Sequence, residues 1–404
     1  MNRGQGLRAA RATSQHGQII ILTVLILALG TGFLVYSMAE FRSIDYSKNA
    51  KTDAALALAR DALLGRAQSD ANHPGSLPCP DVNGDGKLTL GVDFAAGGAC
   101  MQYIGRLPWK TLELPELRDG DGETLWYALS PAFSDTTTNA INTDSIGSIT
   151  AYSGSNTGVV SSRAVAVVFS PGAPIGTQAR SPTQTAACPM TGTTIAQSLC
   201  PNNYLDLETV SGINNANATG PYITVPAKAT FNDRLLVVSD SVDLMTPIEA
   251  RAAQAMLSVL QAYKTGSGGF CDCYPWADLS AGDADDGLTH GRVPLITADT
   301  GHNNNWSDAG VTIPQWLLDN DWRIVFFYTV AANKTYDHNA GSLTVDGVSG
   351  KDIVLISTGA TTTTSGRGWP CGYVDDAQNC DEGIVFITPT DTTSTNRDRL
   401  YSLP

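Results

Sequence analysis

Residues Gln18 to Ala39 read QIIILTVLILALGTGFLVYSMA and contain no charged side chain. As a helix rising about 1.5 Å per residue, that length spans about 33 Å, enough to cross a hydrocarbon core of about 30 Å. Arg3, Arg8 and Arg11 precede it, and no acid does. The positive-inside rule then predicts a single pass through the inner membrane. The N-terminus would be cytoplasmic, and the C-terminal body exported. A cleaved secretory signal is the alternative, although its apolar core usually runs only about 7–15 residues.

The helical pattern continues past the apolar stretch. Between Glu40 and Gln68 there is no proline, and the only glycine is Gly65. Ala50, Ala54, Ala57, Leu58, Leu63 and Leu64 recur at helical spacing, with Lys48, Lys51, Asp53, Arg60 and Asp61 between them. The expected organisation is a cytoplasmic leader over 1–17, one long helix over 18–68 with 18–39 transmembrane, and an exported globular domain over 69–404. The expected fold class is α+β, with the long helix packed on an antiparallel, strand-rich body carrying long disulfide-tied loops.

The chain has 404 residues and a net charge of −14. Such acidity argues against non-specific binding to nucleic acid. Eight cysteines fall in sequence-local pairs, which suits disulfides in an oxidising compartment. Cys79–Cys100, Cys188–Cys200 and Cys371–Cys380 are the expected bridges, and the closely spaced Cys271 and Cys273 are unassigned. Zinc is the other reading of paired cysteines, but the C-x-C and C-x8-C spacings without nearby histidine fit it badly.

Gly17 stands directly before the apolar helix. This resembles the processing site of type IV prepilins and type II secretion pseudopilins, where a membrane peptidase cuts after the glycine. The resemblance implies cleavage at Gly17, with Gln18 as the mature N-terminus. That family commonly has Phe or Met at this terminus and a glutamate four residues on; here Gln18 and Leu22 stand there. The missing glutamate is tolerated among large minor pseudopilins thought to cap the filament tip. An uncleaved signal anchor is the plainer reading. Further segments resemble large bacterial pilin-like proteins: ALARDALLG (57–65), PGSLPCPDVNGDG (74–86), GRLPWKTL (105–112), LRDGDGETLWYALS (117–130) and FNDRLL (231–236). This resemblance implies an envelope location, other pilin or pseudopilin subunits and a prepilin peptidase as partners, and no established activity.

Within the body, Asp81, Asn83 and Asp85 followed by Gly86 match the first half of a calcium loop, D-x-[DN]-x-[DN]-G. Alternate oxygens converge when such a loop curls around an ion, and the glycine permits the turn. The twelfth position is Val92, so this is not an EF-hand; Asp93 or a distant acid would close the site. A solvated Asp/Asn/Gly turn is the alternative. A second acidic turn, at Asp283, Asp285, Asp286 and Gly287, is a weaker metal candidate. Asp119-Gly-Asp121-Gly reads as a hairpin-type turn into a strand at Leu125–Leu129, with Trp109 and Trp126 as core residues. Strands are expected at 163–170, 235–239, 323–330, 351–358 and 383–388. A helix is expected from Thr246 to about Tyr263, opened by an N-cap, Pro247 and the capping-box acid Glu249.

No P-loop, dinucleotide fingerprint, H-E-x-x-H or G-x-S-x-G occurs, and the five histidines are scattered. The expectation is therefore a non-enzymatic, structural minor pilin or pseudopilin-like subunit. An anchored or pilus-borne adhesin, and an anchored hydrolase, are the alternatives.

Overall fold

A computed structural model describes residues 45–154, 158–239, 244–266, 273–278, 288–295, 309–332, 342–357 and 398–404, together with Trp306, Gly359, Asn379 and 384–388. The apolar stretch, Gly17 and Gln18, Cys371 and Cys380, and the 283–287 turn lie outside the described residues.

Helix α1 occupies residues 45–69. Its buried positions are Thr52, Ala55, Leu56, Ala59, Leu63 and Ala67, a single stripe at three- and four-residue spacing. The turn over 45–51 is exposed on every side. The stripe lies on a six-stranded sheet made of β1 (Ile104–Arg106), β2 (Trp126–Leu129), β3 (Ile149–Ser153), β4 (Gly158–Ser170), β9 (Tyr222–Thr224) and β10 (Arg234–Ser239). β4 is the longest of these, and β2, β3 and β10 all pair with it antiparallel. β3 and β9 run parallel.

In β2 the alternation is strict. Tyr127 and Leu129 join the core beneath α1, while Trp126 and Ala128 face a second core on the opposite side. The run RAVAVVFS in β4 is continuous rather than alternating because both faces of the sheet are covered there. The second cover is the excursion over 173–227, which carries the hairpin β5 (Thr185–Cys188) and β6 (Thr193–Ala196) and the small pair β7 (Leu207–Glu208) and β8 (Ile213–Asn214).

Helix α2 (Thr246–Lys264) follows the first sheet and buries Ile248, Ala252, Ala253, Met256, Leu260 and Tyr263. Pro247 sits in its first turn as expected, but Thr246 does not cap it: Met245 holds the N-cap position without a side-chain bond. Glu249 is buried and pairs with Arg399 instead of reaching back to the cap. Arg251 donates to the carbonyls of Gln68 (2.9 Å) and Asp70 (2.7 Å), supplying partners to the free end of α1. α2 also packs on a second sheet of β11 (His290–Gly291), β12 (Phe326–Val330), β15 (Ile353–Ser357) and β17 (Arg399–Leu403). A three-stranded sheet of β13 (Leu343–Val345), β14 (Val348–Lys351) and β16 (Val385–Phe386) completes the described strands. The short helices α3 (Gln315–Asp319) and α4 (Trp322–Val325) precede β12.

These observations correct two expectations. The fold is dominated by strands, and its described helices are short compared with a rod over 18–68. Over its described residues, 45–69, this helix is amphipathic, with Lys48, Lys51, Asp53 and Asp61 exposed, so it covers a sheet. Among the described residues no helix is long and apolar enough to cross a membrane, which runs against the expected single-pass inner-membrane placement; residues 18–39, on which that expectation rested, lie outside them. One further reading shifts locally: residues 322–325 form α4 ahead of the strand expected from Arg323. The Ser/Thr/Gly-rich residues before Arg163 add β3 and the start of β4 to the expected strands.

The excursion is pinned to the sheet by two buried acids. Asp233 Oδ2 accepts from the Asp206 N–H (2.7 Å) and from Asn215 Nδ2 (2.9 Å). Asp206 accepts from the Asn232 N–H and from Gln178, both at 2.8 Å. Asp233 Oδ1 is buried and has no hydrogen-bond partner among the described residues. Burial, reinforced by the adjacent Asp206, pushes the Asp233 carboxyl well above its ordinary value of 3.8. A raised folded-state value means that this contribution to stability is complete below the unfolded value and is lost as pH rises through the folded one. Asp233→Asn keeps an oxygen acceptor for the Asp206 and Asn215 donors and removes the titrating group. Relative to that variant, the wild-type chain is expected to lose denaturant resistance from about pH 4 towards pH 8. Parallel curves for the two proteins across that range would show that folding does not raise the Asp233 carboxyl.

Candidate functional site

Two disulfide-tied loops converge over the β1–β2 edge of the first sheet. Cys79–Cys100 closes one, across 21 residues, and Cys188–Cys200 the other, across 12. Two of the three expected bridges are present, and the third, Cys371–Cys380, lies outside the described residues. Cys273 is disulfide-bonded as well, to a partner outside the described residues.

The first loop is organised by Asp81, which is 1% exposed. Its backbone pairs with Arg106, at 2.9 and 2.8 Å, so the loop starts as an added rung beside β1. Asp81 Oδ1 accepts from the N–H groups of Asn83 (3.1 Å) and Gly84 (2.7 Å), and Oδ2 from Gly86 (2.6 Å). Asn83 Oδ1 accepts from Asp85 N–H (3.0 Å), and Asp85 Oδ1 from Lys87 N–H (2.7 Å). Each side chain thus folds the backbone two residues ahead of it. Asp93 is fully buried and binds the Val82 and Thr89 N–H groups, both at 2.8 Å. The alternating Asp/Asn/Asp spacing and Asp93 therefore belong to one loop. Gly86 has φ +82°, and a Cβ there would come within 2.5 Å of Trp109 Nε1, so both geometry and space require glycine. Trp109 is half-buried over this turn, whereas Trp126 is buried.

Burial raises the carboxyl of Asp81, opposed by its N–H donors and helped by the charges of Asp93 and Asp85. No cationic side chain forms an ion pair with Asp81, Asp85 or Asp93 among the described residues. The oxygen-rich donor set suits a hard cation. Even so, no group of three or more His, Cys, Asp or Glu side chains is arranged to hold a metal among the described residues. Asp119, in the Asp/Gly turn before β2, organises that turn. It accepts from Asp121 and Glu123 N–H (both 2.9 Å), Ser170 Oγ (2.8 Å) and Gly172 N–H (3.0 Å).

Sequence reasoning missed the group joining the two loops. Arg106, at the end of β1, lies over the rings of Trp126 (5.5 Å) and Tyr204 (4.9 Å). It donates to Thr124 Oγ1, to the Ser198 carbonyl (2.7 Å) and to Tyr204 Oη (2.9 Å). Arg180 covers the other ring contact of Tyr204 at 4.4 Å and pairs with Glu123 at 3.1 Å. Arginine on aromatic faces in a partly dry setting contributes roughly 1–2 kcal/mol per contact. The only signal was Arg106 following Ile104-Gly105 in a strand-like segment; its aromatic partners lie far along the chain.

Comparison with protein-family models, with curated proteins and with solved structures finds no match. Asp81→Ala is expected to strip acceptors from three N–H groups and lower unfolding stability by about 3 kcal/mol or more, read by denaturant titration. An unchanged midpoint would show that the loop does not depend on Asp81.

Proposed function

We propose that the chain is a structural minor subunit of a type IV pilus-like or type II secretion pseudopilus-like filament. The observation supporting this reading is α1. Its 52–67 stripe seats the helix on the body's own sheet, while the side chains over 45–51 are exposed, Tyr46 by 78%, and this turn is tied to the body through Lys48 with Asp121 and Asn49 with Arg234. A helix whose later turns are committed to its own domain, and whose first described turns keep their side chains exposed, suits a subunit that joins neighbours through its N-terminal segment. Intramolecular disulfides suit a subunit that works in oxidising surroundings. Co-expressed with a prepilin peptidase, the chain is expected to yield a mature N-terminus at Gln18 by mass spectrometry. Retention of residues 1–17 beside a correctly processed control pilin would count against the reading.

The proposal includes a calcium ion at the 81–93 loop, for which Asp81, Asn83, Asp85 and Asp93 would supply oxygens. Calcium would neutralise three carboxylates that have no cationic partner among the described residues. Chelator is expected to lower the melting temperature of the full-length chain by about 3 °C or more, and added calcium to restore it. Identical melts would remove the ion from the proposal.

A further inference from the structure

A cavity of about 170 Å³ opens between the two disulfide-tied loops. Its walls are largely apolar, formed by Ile104, Met190, Ile195 and Leu199, and it is bounded by Arg106 and Trp126. That volume is close to the roughly 150 Å³ of an engineered protein cavity that accepts benzene, so it suits one six-membered ring.

Asp81 also lines the cavity, but its carboxylate oxygens are turned to the N–H groups of Asn83, Gly84 and Gly86, and the donors on the facing wall are short of partners. Arg106 is half-buried and has no carboxylate within ion-pair distance among the described residues. Its three hydrogen bonds go to neutral oxygens, and they leave Nε and one Nη1 hydrogen uncommitted. Trp126 is 1% exposed, and its indole N–H has no partner. Gln102, on the same wall, makes no hydrogen bond among the described residues. A partly desolvated cation without a counter-ion, beside an orphaned donor, calls for an anionic acceptor.

We propose that this cavity binds a small carboxylate carried on a single six-membered ring, with the ring against the apolar wall and the carboxylate served by Arg106. The inference is independent of the filament reading, since it rests on the loops and β1 and not on α1. An aromatic acid and a cyclic sugar acid share this chemistry, and two probes separate them.

Isothermal titration of the full-length chain with benzoate and with glucuronate is the test. Saturable binding of at least one acid is expected, at least tenfold tighter than its neutral counterpart, benzamide or glucose. Arg106→Gln should weaken that binding at least tenfold. Because Arg106 also holds Ser198 and Tyr204, Thr193→Trp provides a second variant. Thr193 is an exposed residue of the cavity lining, and the indole should fill the space, abolishing binding without moving the melting temperature. No saturable heat from either acid at about 10 mM would overturn the proposal. Equal affinity for the neutral analogues, or undiminished binding by a folded Thr193→Trp protein, would also overturn it.

Discussion

The buried stripe of α1, from Thr52 to Ala67, and that of α2, from Ile248 to Tyr263, enter one apolar interior. That interior also holds Tyr127, Val165 and Val168 of the first sheet and Tyr328, Ile353 and Leu355 of the second. An isolated helix of this kind is marginal in water, so each draws its stability from the surface it covers. With both helices seated in the same layer, neither sheet can part from its cover without exposing the other's. Arg251 strengthens the junction. It reaches from α2 to the last carbonyls of α1 and stacks on Trp316 at 5.0 Å. Salt links on the far side of α2, Arg399–Glu249 and Lys264–Asp352, join it to the second sheet.

The opposite face of the first sheet follows another logic. There the cover is irregular chain, with few regular backbone ladders to satisfy its polar groups. Buried side chains take over that task. Asp233 and Asp206 bind N–H groups across 173–227, Asn215 bonds both ways with Ile223, and Asp119 gathers the turn between α1 and β2. Arg234 extends the arrangement to α1 through an ion pair with Asp53. The segment FNDRLL thereby acts as a junction: Phe231 is packed in a small satellite core, Asp233 binds Asp206 and Asn215 of the excursion, and Arg234 pairs with Asp53 of the helix.

Much of this was legible because it is local. α2, β2, β4 and β10 follow from periodicity and turn residues, and the two described bridges from the proximity of their cysteines in sequence. The run over 322–325 misled because a short apolar segment fits a helical turn as well as a strand. β3 and the start of β4 were hidden by a Ser/Thr/Gly-rich composition whose strand pairing is decided by neighbours. Of the expected 18–68 rod, the described part, 45–69, is a helix whose charged outer face and buried stripe fit a sheet cover. Asp206 with Asp233, and Arg106 with Tyr204, were invisible for a simpler reason. Each pair is joined only when distant segments fold together. The loop acids Asp81 and Asp93 could be singled out by spacing, but not the burial that makes them structural.

The stacking of Arg106, Tyr204 and Arg180 has a consequence for how the molecule can vary. The hairpin between Cys188 and Cys200 hangs from the sheet by aromatic faces and guanidinium groups near its base. Met190 at the tip rests on the same core, so the hairpin is held at both ends. Sequence could therefore be exchanged at the exposed positions 183–185 and 192–194 like interchangeable tiles, altering what the surface meets while the frame beneath keeps its shape.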